Sequence, residues 1–318
     1  MASGAAQFRR RVLAKKISDI KCRKDMTVTE LLEGYGEMGG FGARMVSDAR
    51  NILDTMVRDG QTTRFLSFTA DLVATGLRGV FVQMIKSKMF DAVITTCGTL
   101  DHDIARANGG RYCFGSFDAD DVELKRAKIN RLGNIFIPME DYGQITERFV
   151  YKALDKAVEI KSTWGVRELL DLMGGMCQDQ NSILRAAHDA GVKVYVPGIV
   201  DGAVGTHAFM YSQTKKFGLD LFRDMKELSD MVFDAKKTGA LIVGGGISKH
   251  HTIWWNQFRD GLDYAVYLTT ASEYDGSLSG ARPKEAISWN KIKPSAKHAV
   301  VLGDATVTLP LLACSIFG

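Results

Sequence analysis

The chain has 318 residues, 46% of them apolar, enough to build a sizeable core without disulfide support. Its net charge of +4 is gathered at one end, where residues 1–25 hold eight Lys/Arg against two Asp, so a basic, nucleic-acid-binding body is excluded. No stretch approaches the ~18 uncharged apolar residues of a membrane span, and five scattered cysteines without metal-site spacing fit a reducing cytosol. A soluble, cytoplasmic protein with no metal centre is expected.

Residues 1–25 read as a basic arm, either solvated and partly disordered or docked on an acidic neighbour, and residues 26–318 as a single catalytic domain. From Thr27 to about Val57 apolar residues recur at helical spacing. Thr27 and Glu30 have the spacing of a capping box, and the glycines between Gly34 and Gly42 divide the stretch into two helices. Arg64–Thr69 predicts a strand and Leu72–Met89 a helix. The β-branched run Asp91–Thr96 predicts a short strand, and Leu100–Ala107 resumes helical. A glycine-rich irregular patch over 109–121 precedes a strand at Asn134–Pro138. Helices follow at Tyr142–Ser162, Gly165–Leu172 and Ser182–Ala190, the last with Gly191 in the C-cap position. Strands at Val192–Pro197 and Ala240–Val243 flank a helix over Leu219–Lys237, and strands at Tyr264–Thr269 and Ala299–Leu302 complete the set. Wholly apolar strands belong in a parallel sheet covered on both faces. The alternation therefore predicts a doubly wound α/β fold.

In such a fold ligands bind beyond the carboxyl ends of the strands. The residues there are Thr95-Thr96-Cys97-Gly98, Asp201-Gly202, Gly244-Gly245-Gly246, Thr269-Thr270, Asp275-Gly276 and Gly303-Asp304-Ala305. Glycine permits close backbone approach to a phosphate or flat ring, and Asp suits ribose hydroxyls or cationic amines. Any one group is explained by turn chemistry alone; six at one edge favour a nucleotide pocket. No GxGxxG fingerprint follows any of these strands, so a dinucleotide would be held in another way, with help from a neighbouring subunit.

His250-His251 follow the triple glycine. Adjacent histidines point to different sides of a helix, which leaves one free to face the pocket and the other structural. The segment Glu273–Lys293 opens as a polar Gly/Ser loop and enters a helix at Pro283, with Glu285, Trp289 and Lys291 expected within two turns. Glu285 and Trp289, four apart, would form a receptor for an alkylammonium ion. The same tryptophan would desolvate Lys291 and favour a nucleophilic amine. An ordinary amphipathic helix with an exposed lysine is the alternative.

The block DGSLSGARPKEAISWNKIK, with GGGISKHH upstream and GDATVTLPLL downstream, resembles deoxyhypusine synthases; TTCGTLDHD, RLGNIFIP and VPGIVDGAVGT match in order. The resemblance covers roughly residues 60–318 and is to an archaeal-type member. It implies a Rossmann-like NAD-binding domain, a homotetramer, and NAD held near subunit interfaces. It also implies the reaction: spermidine is oxidised with NAD, 1,3-diaminopropane leaves, and the butylamine group becomes an imine on a lysine, which by position is Lys291. The group then passes to a lysine of the hypusine-bearing translation initiation factor. The resemblance puts His250 beside Lys291 in catalysis, and Glu285, Trp289, Asp101, His102 and Gly276 against the polyamine. Thr96, Asp201, Gly245, Thr270, Asp275, Ser279, Asp304 and Ala305 fall in the NAD pocket.

The chain departs from the eukaryotic pattern at several positions. Thr206 and Leu278 stand where two acids grip spermidine, Ala70-Asp71 replace Ser-Asn, His102 replaces a glutamate, and Asn290 replaces the glycine of SW-x-K. A homospermidine synthase, passing the group to putrescine, shares the first half-reaction. A non-catalytic NAD-binding interaction protein is a rival of another class, opposed by the retained Lys291, Glu285 and Trp289. A sirtuin-like deacylase would want a zinc-binding CxxC pair, which the sequence lacks.

Overall fold

A computed structural model describes residues 2–317. Its centre is a sheet of six strands: β1 (Thr62–Phe68), β2 (Ala92–Ile94), β3 (Lys193–Tyr195), β4 (Lys237–Val243), β5 (Leu262–Thr269) and β6 (Ile292–Leu302). They lie side by side in the order β3-β2-β1-β4-β5-β6, and every neighbouring pair is parallel. This is the strand order of a Rossmann dinucleotide-binding fold, in which the direction of winding reverses between β1 and β4.

The period-two geometry of strands explains why these segments are apolar throughout. Leu66, Phe68, Val93, Leu241, Val243, Val266 and Leu268 point to one face, into the larger hydrophobic cluster with the helices of residues 28–107, 145–211 and 305–317. Phe65, Ala92, Ile94, Ala240, Ile242, Ala265 and Tyr267 point to the other, against Leu228, Val232, Ile253 and Ala286. Burying each large side chain contributes about 1.5–3 kcal/mol, so coverage of both faces selects hydrophobic residues at every position.

The expected helices form with their boundaries moved. Thr27 and Glu30 make the reciprocal capping box at the start of Val28–Met38, and Gly39, in the left-handed region, ends that helix before Phe41–Arg58 begins. The stretch expected as one helix over Leu72–Met89 is two, Asp71–Ala74 and Leu77–Lys86, with extended Thr75 between. The strand expected at Asn134–Pro138 forms over Ile135–Pro138, but in a separate three-stranded antiparallel sheet with Ile129–Leu132 and Cys113–Phe114. Gly133-Asn134 is a two-residue turn, and a connection that short closes only an antiparallel hairpin. In the basic arm, Ala2–Val12 is a helix, exposed over residues 4–12, whose last turn holds Arg9, Arg10 and Arg11, favourable at the negative end of a helix dipole. Further on, Lys15 pairs with Glu37 at 2.8 Å.

No helix among the described residues is long and apolar enough to cross a membrane.

Candidate active site

The carboxyl ends of β1, β2, β4, β5 and β6 form one continuous edge. A Cβ on Gly244, at φ +88°, would crowd the Thr69 side chain just beyond β1. A Cβ on Gly245 would run into Ser279, whose Oγ accepts a hydrogen bond from the Gly246 amide at 3.1 Å. The triple glycine therefore lets the loop of residues 270–282 fold directly onto the end of β4. Thr269 Oγ1, at the end of β5, donates to the Ser279 carbonyl at 3.2 Å. Within the loop, Asp275 Oδ1 accepts from the Ser277 amide at 2.7 Å, and Gly276 has φ +75°. At the end of β6 the Gly303 amide donates to the Thr269 carbonyl, and Asp304 caps the Ala305–Phe317 helix through the Thr306 amide at 2.8 Å. A cleft of about 360 Å³ opens here, bounded by Thr270, Gly280, Leu302 and Gly303. Gly245, Thr270, Asp275, Ser279, Asp304 and Ala305 thus stand along one stretch of the edge.

Thr96, Asp101, His102 and Asp201 stand along the β2–β3 stretch. Thr96 begins the Cys97–Ala107 helix, and its Oγ1 is buried with no hydrogen-bond partner, a costly state for a hydroxyl without a ligand. Asp101 is buried and accepts from the Ala203 and Val204 amides at 2.9 and 3.0 Å and from Tyr142 Oη at 3.3 Å. It pins the turn that carries exposed Asp201. Burial raises its pKa against the pull of those amides. His102 Nδ1 meets Tyr112 Oη at 2.8 Å, and burial lowers the imidazole pKa to about 4, so it is neutral at pH 7. Of the departures, Leu278 packs against the core of the second sheet face, Thr206 donates to the Gly202 carbonyl, and Ala70 abuts Gly98.

Lys291 lies in a turn between a short helix, Pro283–Ile287, and β6, and so is not on the helix expected to carry it. The Lys291 amide bonds the Ala286 carbonyl and the Asn290 amide bonds the Ile287 carbonyl, the paired bonds of a Schellman ending, with Asn290 at φ +55°. That left-handed residue stops the helix and turns Lys291 inward. Lys291 is buried, its Nζ 5.4 Å from the Trp289 ring centre and 5.9 Å from that of Trp254. His250 stacks on Trp254 with centroids 5.5 Å apart; its pKa is lowered by burial and then by the Lys291 charge, which keeps the imidazole neutral. His251 diverges, accepting from Trp255 Nε1 at 3.1 Å, with a pKa lowered to about 4 by burial. Glu285 is exposed, and its charge acts on Lys249.

Two residues of this region escape sequence reasoning. Trp254 had a signal, four residues after His250 on the same helix. Lys249 had none: it is 1% exposed, and its Nζ donates to the carbonyls of Leu278, Ala281 and Ser279 at 2.7, 2.8 and 3.4 Å. Among the described residues no group of three or more His, Cys, Asp or Glu could hold a metal.

Comparison with known proteins agrees with this architecture. A family model described as deoxyhypusine synthase matches residues 30–316. A protein of Sulfurisphaera tokodaii named "Probable deoxyhypusine synthase" is 54% identical, with 93% of this chain and 96% of that protein covered. One of the same name from Ignicoccus hospitalis is also 54% identical, over 94% and 95%. The crystal structure of a candidate deoxyhypusine synthase from Entamoeba histolytica superimposes with a TM-score of 0.62 over 95% of this chain and 96% of that one. At 20% identity it speaks for the fold. With these relatives beside it, the chain belongs to the deoxyhypusine synthase family.

Proposed function

We propose that this chain is a deoxyhypusine synthase, a transferase that moves the aminobutyl group of spermidine, with NAD as cofactor, onto a lysine of the hypusine-bearing translation initiation factor. The observation that carries the reading is the cage around Lys291: a buried amine flanked by two indoles, with a neutral histidine stacked on one of them.

The edge fits a dinucleotide in its donor set. The unpartnered Thr96 Oγ1 offers a buried hydrogen bond, Asp201 and Asp304 are exposed carboxylates suited to ribose hydroxyls, and Gly245, Thr270, Asp275, Ser279 and Ala305 would complete the hold. When bound, the cofactor supplies the acceptor, and later the donor, of a hydride. The chain's own residues handle the nitrogen chemistry. Oxidation of the secondary amine leaves an iminium that water would hydrolyse to an aldehyde. Lys291 Nζ attacks the iminium carbon, a carbon–nitrogen bond breaks, and 1,3-diaminopropane leaves with its nitrogen lone pair restored. Trp254 and Trp289 flank that carbon, and neutral His250 accepts the proton Lys291 sheds and passes it to the departing nitrogen. Glu285 would fix the far ammonium, with Asp101, His102 and Gly276 also facing the polyamine. The acceptor lysine then displaces Lys291 in the reverse exchange.

The test is borohydride trapping with labelled spermidine and NAD, followed by peptide mapping. Label is expected on Lys291, and Lys291→Arg, which stays protonated, is expected to fold and bind NAD yet to transfer nothing. Label on another lysine, or undiminished transfer by the variant, overturns the reading.

A further inference from the structure

We propose that Lys249 is a positioning residue whose ammonium clamps the carbonyls of residues 278–281 onto the ends of β4 and β5, and so sets where Ser279 and the Asp275-Gly276 turn stand. That this loop holds the cofactor rests on the function proposed above; the clamp itself rests on geometry.

Lys249 is the fourth residue of the Gly246–Asn256 helix and points back beneath the loop, over the ring of Tyr267 at 4.4 Å. Burying an ammonium is costly unless its three N–H groups are satisfied. Here three acceptors converge on it, the carbonyls of Leu278, Ser279 and Ala281, and all belong to one tight turn. Among the described residues it makes no ion pair. The charges and titratable groups around it are the exposed Glu285 carboxylate and the Tyr267 phenol. A residue serving only the core would be apolar at this depth. Burial pulls the pKa down to about 8, so at neutral pH the form with all three protons still predominates. The carbonyls depend on it in turn. Gly280 packs so closely that a Cβ would strike the Ser272 carbonyl, which leaves the turn little freedom to rotate toward other donors. Loop and helix are then stapled twice, by Lys249 from below and by the Gly246 amide on Ser279 Oγ from the side. The second bond forms only where the first holds the turn.

The test compares the full-length wild type with Lys249→Met, which fills the same space without donors, and Lys249→Gln, which keeps two N–H donors. Amide hydrogen exchange is read by mass spectrometry in peptides spanning residues 270–282 and, as controls, β1 and β4. Binding and kinetics with NAD are measured alongside. Lys249→Met is expected to speed exchange in the loop at least tenfold with the control strands unchanged. It should also raise KM for NAD by a similar factor while kcat at saturation stays within about threefold. Lys249→Gln is expected to fall between the two proteins. Unchanged exchange in the loop overturns the clamp. Exchange that rises equally in all peptides, or failure of both variants to fold, makes Lys249 an ordinary core residue and overturns it too, as does loss of kcat with KM unchanged. If the wild type binds no NAD, the proposed function fails, while the exchange result still decides the clamp.

Discussion

Asn290 is the one residue of the SWNK sequence in the left-handed region, at φ +55°. That conformation costs a typical L-residue about 1–2 kcal/mol, and asparagine is among the few that adopt it readily. It explains how a position occupied by glycine in the resembled pattern takes a side chain without losing the turn. Asn290→Gly is therefore expected to retain both stability and Lys291 labelling. Asn290→Val should cost about 1–2 kcal/mol in urea denaturation and cut labelling further than stability, because it turns Lys291 out of its cage. Equal labelling in all three proteins would show that the turn does not aim the lysine. At this scale the strand-end glycines and aspartates were legible, since the chemistry of a tight turn is local. Lys249 was not, because its partners lie 29 to 32 residues away in sequence and are carbonyls, which every residue has.

Among the elements, one buried charge joins three helices. Asp103, in Cys97–Ala107, accepts from Arg78 Nε at 2.7 Å in Leu77–Lys86. It also accepts from Ser182 Oγ and the Ile183 and Leu184 amides, at 2.7, 3.0 and 3.0 Å, where Ile183–Ala190 begins. Asp103→Ala leaves the buried Arg78 guanidinium with Asp179, at 3.0 Å, as its one carboxylate and strips the Ile183 and Leu184 amides of their acceptor, so a loss of about 3–5 kcal/mol is expected in urea denaturation. Replacing both partners by apolar residues, Arg78→Met with Asp103→Leu, should recover part of it; a single-variant loss under about 1 kcal/mol would contradict the account. The central strands were legible as elements because burial on two faces leaves a wholly apolar run. Strand order was not, since pairing is decided between segments. The first half of β6 was missed for a related reason. An edge strand is paired on one side only, so Pro294 and exposed Ser295, Lys297 and His298 are tolerated there and hide the pattern. The hairpin strand Ile135–Pro138 looked like the others because its short apolar run carries no mark of which sheet it joins.

For the molecule as a whole, the walls of the Lys291 cage are unfinished in one chain. Lys291 is buried, yet Trp289 is 64% exposed and Trp254 40%. Other large apolar groups stand in solvent as well, among them Phe41, Phe114, Phe209 and Phe222. These rings are surface that a second copy of the chain can bury, and an open indole wall leaves the iminium carbon of the proposed reaction within reach of water. A neighbouring copy that covers the walls would answer both, in keeping with the absence of a GxGxxG turn after any strand of the central sheet. A homotetramer is the assembly we propose. Light scattering is then expected to give about four times the chain mass of 35.0 kDa. Specific activity should fall on dilution as assembly is lost, and Trp289 emission should shift to the red as the indole returns to water. An active species of one chain mass, with activity strictly proportional to concentration down to the lowest dilution, would mean that a single copy completes the site and that the exposed indoles serve another purpose.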